Sequence, residues 1–194
     1  MIPATPTRRV LIAEDETVIR LDLRTTLEAS GYDVCGEARD GNEAVELASS
    51  LEPDVILMDV KMPKLDGIEA SRQILTERSV PIVILTAFGQ EELVARAVDT
   101  GVFGYLAKPF REQDVVAALA AAQSRHAEFA EVQLRADSLL EALEARKSIE
   151  RAKGILMAKE GISEDEAFAR LRRASQRSGR PMKVIADAVA ATLG

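Results

Sequence analysis

The sequence predicts two domains of different class. The first is a doubly wound α/β domain with a five-stranded parallel sheet, and the second is a small all-α domain of three helices reached through a long linker helix. Three observations carry this reading. Short apolar runs alternate with segments of helical period over roughly the first 120 residues. No Gly or Pro interrupts the stretch from Glu112 to Arg151. The remaining residues form compact helical patterns punctuated by Gly161, Gly179 and Pro181. A chain of 194 residues has room for two such units.

The apolar runs are Val10 to Ala13, Asp33 to Ala38, Val55 to Asp59, Ile82 to Ala87 and Gly104 to Pro109. Short, β-branched and flanked by helices, they read as strands buried on both faces. Between them, Val18–Leu21–Leu23–Leu27 and Leu93–Ala97 keep helical spacing, and Asp40-Gly-Asn-Glu43 has the spacing of a capping box. From Glu112, Leu119, Ala122, His126, Phe129, Ala136, Leu140 and Leu143 recur three, four or seven apart, with Gln133 on the same seam. Such a stripe suits either a coiled-coil homodimer or a helix that packs back on its own chain. The second domain is expected to comprise Lys147 to Lys159, a helix begun by Ser163-Glu-Asp-Glu166 and ended by Gly179, and a third with Pro181 in its first turn. Gly154, inside a helix, is expected to mark a close helix approach. The expected boundaries are 8–125 for the α/β domain, 112–146 for the linker helix and 139–194 for the helical domain.

Composition narrows the function classes. No apolar run approaches the length that spans a bilayer, so no membrane role is expected. The start, MIPATPTRRV, lacks an apolar h-region and is expected to be a short arm rather than a secretory signal. The single cysteine, Cys35, is expected to be a small core residue, and the chain to be cytoplasmic. The formal charge of −7 conceals an asymmetry. Arg146 to Lys183 holds eleven Lys/Arg against five Asp/Glu, a net +6 that leaves −13 elsewhere. An acidic body therefore carries a basic C-terminal block.

In a parallel α/β sheet, ligand chemistry gathers at the carboxyl ends of the strands. Those ends carry Glu14-Asp15, Asp59, Thr86 and Lys108. Carboxylates brought together repel one another unless a divalent cation is bound, and oxygen ligands suit Mg²⁺. The metal would let a carboxylate attack phosphorus and form an acyl phosphate, with lysine and hydroxyl groups positioning the phosphoryl oxygens. A phosphatase would need a second acid/base group, which these motifs lack.

These residues, with Asp59 inside LMDVKMP, Asp66-Gly67, Thr86-Ala87 and Tyr105-Leu-Ala-Lys108-Pro109, resemble the flavodoxin-like receiver domain of bacterial response regulators. The resemblance implies that Asp59 accepts a phosphoryl group from a sensor histidine kinase. It implies that Glu14, Asp15, Asp59 and the backbone carbonyl of Lys61 hold Mg²⁺, and that Thr86 and Lys108 contact the phosphoryl group. Tyr105 would be the aromatic switch, and Lys108-Pro109 a cis peptide. Hydrolysis beyond autodephosphorylation is not expected, so the chain is not read as an enzyme.

The basic block is rich in Arg, Lys, Ser and Gln, a composition suited to phosphates and base edges. Its run Arg151-Ala-Lys-Gly-Ile-Leu-Met157, Glu166-Ala-Phe168, and Leu171 with Ser175-Gln176 resemble the ANTAR family of RNA-binding antitermination domains. The resemblance implies binding to paired RNA hairpins in nascent transcripts. Lys147, Arg151, Lys153, Arg172, Ser175, Gln176 and Arg177 are the expected RNA contacts. Ala152, Gly154, Ala167 and Phe168 are expected to pack, which argues against base stacking. A DNA-binding output and a protein-adaptor output are the alternatives, separable by RNA preference and by salt dependence.

Overall fold

A computed structural model describes residues 8–87 and 100–193. Five strands form one parallel sheet: β1 (Arg9–Ala13), β2 (Asp33–Ala38), β3 (Val55–Asp59), β4 (Ile82–Ala87) and β5 (Gly104–Lys108). Their spatial order is β2-β1-β3-β4-β5, so the order reverses beside β1 and opens a crevice at the carboxyl ends. Val10, Ile12, Leu57 and Leu85 point to one face, and Leu11, Ile56, Met58 and Ile84 to the other. Both faces are buried over β1, β3 and β4, which explains the continuous apolar runs of those strands, while the edge strands β2 and β5 are partly exposed.

The helices are α1 (Thr17–Ala29), α2 (Gly41–Leu51), α3 (Gly67–Glu77), α4 (Glu112–Glu160), α5 (Glu164–Ser178) and α6 (Met182–Leu193). Leu93–Ala97, expected to be helical, and the first seven residues of the arm lie outside the described residues. Asp40 caps α2 by accepting from the Glu43 amide at 3.0 Å, and Asp66 caps α3 by accepting from Glu69 at 2.9 Å. Ser163 starts α5 in the same way, accepting from Glu166 at 3.3 Å. Gly179 closes α5 at φ 66°, in the left-handed region that favours glycine.

The chain divides into two compact units between Phe129 and Ala130, inside α4. The linker and the first helix of the basic block are thus one helix of 49 residues rather than two. The seam expected along it splits. Leu119 and Ala122 are buried in the α/β core. His126 follows, its Nε2 2.8 Å from Ser79 Oγ and its ring edge-on to Phe103 at 4.9 Å. Phe129 is half exposed yet still meets Phe103 at 6.0 Å, whereas Leu140 and Leu143 are exposed. In the second unit, Ala152, Leu156, Ala167, Leu171 and Ala186 form a small core from α4, α5 and α6.

Four packing expectations are corrected. Of the set with helical spacing on α1, Leu23 and Leu27 are buried, together with Arg20 and Thr26, whereas Val18 and Leu21 are exposed. Cys35 is half-buried rather than core, its thiol donating to the Val10 carbonyl at 3.4 Å. Gly154 makes no close helix approach, since a Cβ there would meet nothing within 4 Å. Phe168 is 42% exposed, because Ala167 and Leu171 already fill the inward face of α5.

Candidate functional site

Glu14 and Asp15 follow β1, and Asp59 ends β3, the strand beside it. Their carboxylates lie within 4.8 Å of one another. Glu14 is fully buried and Asp59 is 6% exposed, while Asp15 faces solvent. From the end of β5, Lys108 bridges the two buried acids, its Nζ 2.7 Å from Glu14 Oε2 and 2.8 Å from Asp59 Oδ1. The other Glu14 oxygen accepts from the Glu16 amide at 3.2 Å.

The electrostatics follow from burial. Loss of solvent pushes the Glu14 and Asp59 carboxyls above the usual carboxylate range, although hydrogen bonds from Lys108 oppose this. The neighbouring charge of Asp59 adds to the rise at Glu14, and that of Asp15 to the rise at Asp59. Burial lowers Lys108, but hydrogen bonds to Asp59 and Glu14 outweigh it and leave the ammonium raised. One lysine thus faces two buried acids and a third at the rim. This all-oxygen donor set with a deficit of positive charge fits a hard divalent cation such as Mg²⁺.

Several residues that set this geometry were not among the expected ones. Arg20 is buried, and its Nη1 donates to the Glu14 carbonyl at 2.6 Å while Nε donates to Glu37 at 3.1 Å. It thereby fixes the turn that carries both acids. Its place in the sequence was a readable signal: positions 20, 23 and 27 form the buried face of α1. Gly67 explains the Asp66-Gly67 pair, since a Cβ at 67 would lie 1.8 Å from the Asp59 carbonyl oxygen. The start of α3 can reach the backbone of Asp59 only through a residue without a side chain. Lys64, at φ 65°, reaches Asp40 at 2.6 Å beyond the end of β2.

Lys61 and Thr86 occupy the same end of the sheet, whereas Tyr105 lies near the start of β5, level with Ile84. Lys61 lies two residues beyond Asp59, and its backbone amide helps hold the Asp59 carboxyl down against the rise caused by burial. Thr86 is buried one position past the β4 residue paired with Asp59. Tyr105 is 58% exposed and so turned outward, and the Lys108-Pro109 peptide is cis.

In the second unit, ion pairing sorts the expected cations. Arg151, Arg172 and Arg177 are exposed and have no ion pair among the described residues. Lys147 is exposed but pairs with Glu144 at 2.9 Å. Lys153 is corrected outright. It is 7% exposed, and its Nζ is held by Glu150 at 2.9 Å and Glu164 at 2.6 Å, so it joins α4 to α5 instead of facing solvent. Ser175 donates its hydroxyl to the Arg180 carbonyl at 2.6 Å, leaving it only acceptor capacity, and Gln176 is exposed. Arg170 pairs with Glu160, and Arg173 with Glu166 at 2.6 Å.

Known proteins resemble both units. Residues 10–120 match the response regulator receiver domain, and residues 137–189 match the ANTAR domain. The chain is 49% identical over 187 residues to the transcriptional regulatory protein PdtaR of Mycobacterium tuberculosis, covering 96% of this chain and 91% of that one. It is 38% identical to the chemotaxis protein CheY of Thermotoga maritima over 58% of this chain and 94% of the relative. Among solved structures, the receiver domain of a modulated diguanylate cyclase from Desulfovibrio desulfuricans superposes with a TM-score of 0.58 at 35% identity, over 62% of this chain and 96% of that one. The receiver domain of NarL from Mycobacterium tuberculosis does so at 0.59 and 27%, over 62% and 98%. No helix among the described residues is long and apolar enough to cross a membrane. An acidic pocket closed by one lysine, a basic helical unit and a relative matched over almost the whole chain agree: this chain belongs to the response regulators that join a receiver domain to an ANTAR output domain.

Proposed function

We propose that Asp59 accepts a phosphoryl group from a sensor histidine kinase, and that this controls binding of the helical unit to paired RNA hairpins in nascent transcripts. The observation that carries the reading is the Lys108 ammonium held between the Asp59 and Glu14 carboxylates, in a chain whose second unit matches ANTAR. An Asp59 oxygen attacks phosphorus, the P–N bond of the phosphorylated donor histidine breaks, and the imidazole leaves. The product is an acyl phosphate on Asp59.

Lys108 is already within reach of Asp59 and would follow the transferred phosphoryl oxygens, with the Thr86 hydroxyl as their second donor. Glu14, Asp15, Asp59 and the Lys61 carbonyl would hold Mg²⁺, which when bound neutralises phosphoryl charge. Tyr105 would exchange its outward position for an inward one as Thr86 shifts. Arg151, Arg172, Arg177, Lys147 and Gln176, with Ser175 as an acceptor, are the RNA contacts this reading keeps. A homodimer made on phosphorylation would engage two hairpins at once and raise effective concentration. The same reading places the chain in the cytoplasm with its nascent RNA.

The test is a gel-shift titration with an RNA carrying two short hairpins beside a duplex DNA of equal charge. Wild type and Asp59→Ala are compared in Mg²⁺, with and without a small-molecule phosphodonor. Selective RNA binding strengthened by the phosphodonor only in wild type is the expected result. Equal or absent binding to both nucleic acids under every condition would sink the proposal.

A further inference from the structure

The second unit contains one phenylalanine, and it is not in the core. Phe168 stands on α5 with 42% of its surface exposed, outside the cluster of Ala152, Leu156, Ala167, Leu171 and Ala186. Arg172 is one turn on, exposed, and without an ion pair among the described residues; Gln176 is one turn further and also exposed. Side chains four apart share a helix face, so ring, guanidinium and amide form one ascending row. Two other cations of α5, Arg170 and Arg173, are instead held in ion pairs by Glu160 and Glu166. Of the acids one turn before the ring, Glu164 is neutralised by Lys153 at 2.6 Å and Asp165 remains at the helix start.

We infer that Phe168 is a stacking platform for an unpaired RNA base, with Arg172 on the adjoining phosphate and Gln176 on a base edge. The inference rests on the RNA-binding reading and deepens it by naming a feature of the ligand: a base splayed out of a hairpin loop. A half-exposed aromatic ring beside a free cation offers a π-face and a phosphate partner together, the combination that captures single-stranded bases. A solvated apolar side chain would not require the free arginine on the same face. A protein partner would be met by the broad apolar stripe of Val132, Leu139, Leu140 and Leu143 on α4 rather than by one ring flanked by polar groups.

The experiment uses the full chain and the two-hairpin RNA with 2-aminopurine placed in turn at each unpaired loop position. Wild type is expected to quench one position on binding. Phe168→Leu, which keeps an apolar side chain, should lose that quench and weaken binding about tenfold, within the range that base stacking on an aromatic residue supplies. Phe168→Trp should retain binding, and because the chain has no tryptophan the new indole is a unique reporter whose emission RNA should quench. Thermal melts of both variants are expected to match wild type, since the ring is outside the core. RNA binding by Phe168→Leu within twofold of wild type with the quench intact overturns the stacking platform alone. A change of oligomeric state in Phe168→Leu without loss of quench reassigns the ring to a protein contact and also overturns it. Failure of the wild type to bind RNA at all removes both this inference and the reading beneath it.

Discussion

The two units place charge in opposite ways. In the receiver, the informative charges are buried: Glu14 and Asp59 are out of water and share Lys108. In the output unit, the buried cation is Lys153, which two glutamates tie down, and the cations left for a ligand are at the surface. Burial therefore points to function at one site and away from it at the other. The distinguishing quantity is where the acids lie. At Lys108 two acids are buried and a third stands at the rim, a deficit of positive charge that invites a cation or a phosphoryl group, whereas the two acids on Lys153 are both largely exposed to water and make no such demand.

The largest test of that contrast is Lys108→Ala. It leaves Glu14 and Asp59 buried without their cation, and is expected to cost about 3 kcal/mol by urea denaturation and to abolish phosphorylation by a small-molecule donor. Retained phosphorylation would show that the lysine is only structural. Gly67→Ala comes next, because its Cβ would meet the Asp59 carbonyl at 1.8 Å. A loss of about 2 kcal/mol is expected, with slower phosphorylation from a displaced acceptor.

The output unit supplies the third test. Arg172→Gln should reduce the slope of log K for RNA against log salt by about one. Lys153→Gln should leave that slope in place while lowering thermal stability. Equal slopes for the two variants would erase the distinction drawn from ion pairing.

Asp59→Asn reverses the usual direction of a substitution. Asp59 and Glu14 hold protons more tightly in the folded chain than in the unfolded one, so the folded state binds more protons in the window from the ordinary carboxylate pKa up to their raised values. Stability without metal should therefore fall as pH rises through that window. Asp59→Asn should flatten this dependence and stabilise by on the order of 1 kcal/mol at neutral pH. Mg²⁺ should stabilise wild type and much less the variant, as melts across a metal titration would show. The smallest effect is Gly154→Ala, expected to stabilise by a little under 1 kcal/mol, roughly the helix-propensity difference, because a Cβ there meets no neighbour.

Much of the receiver was legible because a sheet buried on both faces writes itself as apolar runs, and the chemistry sits where those runs stop. Strand ends at Asp59, Ala87 and Lys108 needed no knowledge of partners. Helical period places Arg20 on the buried face of α1 with Leu23 and Leu27, but its partners, the Glu14 carbonyl and Glu37, are visible only in the fold. In the output unit helical period alone misplaced Lys153, whose partner Glu164 belongs to the next helix. Phe168 was misread for a related reason: apolar character suggests burial, but alanine and leucine had already filled the small core.

The grip on Asp59 has a consequence for how a signal leaves the site. Its carbonyl abuts Gly67, the Gly67 amide is bound to the Val60 carbonyl at 2.9 Å, and the Val60 amide to Leu85 at 3.1 Å. The Asp59 main chain is thus an anvil: on the proposed reading, a group added to its side chain would not be accommodated by recoil of β3. The compliant parts are the side chains facing it, above all Lys108, whose two bonds must be repartitioned. If Asp59 is the acceptor, mechanical work done there would be delivered sideways across the sheet, toward β4 and β5, and not along the strand that carries it.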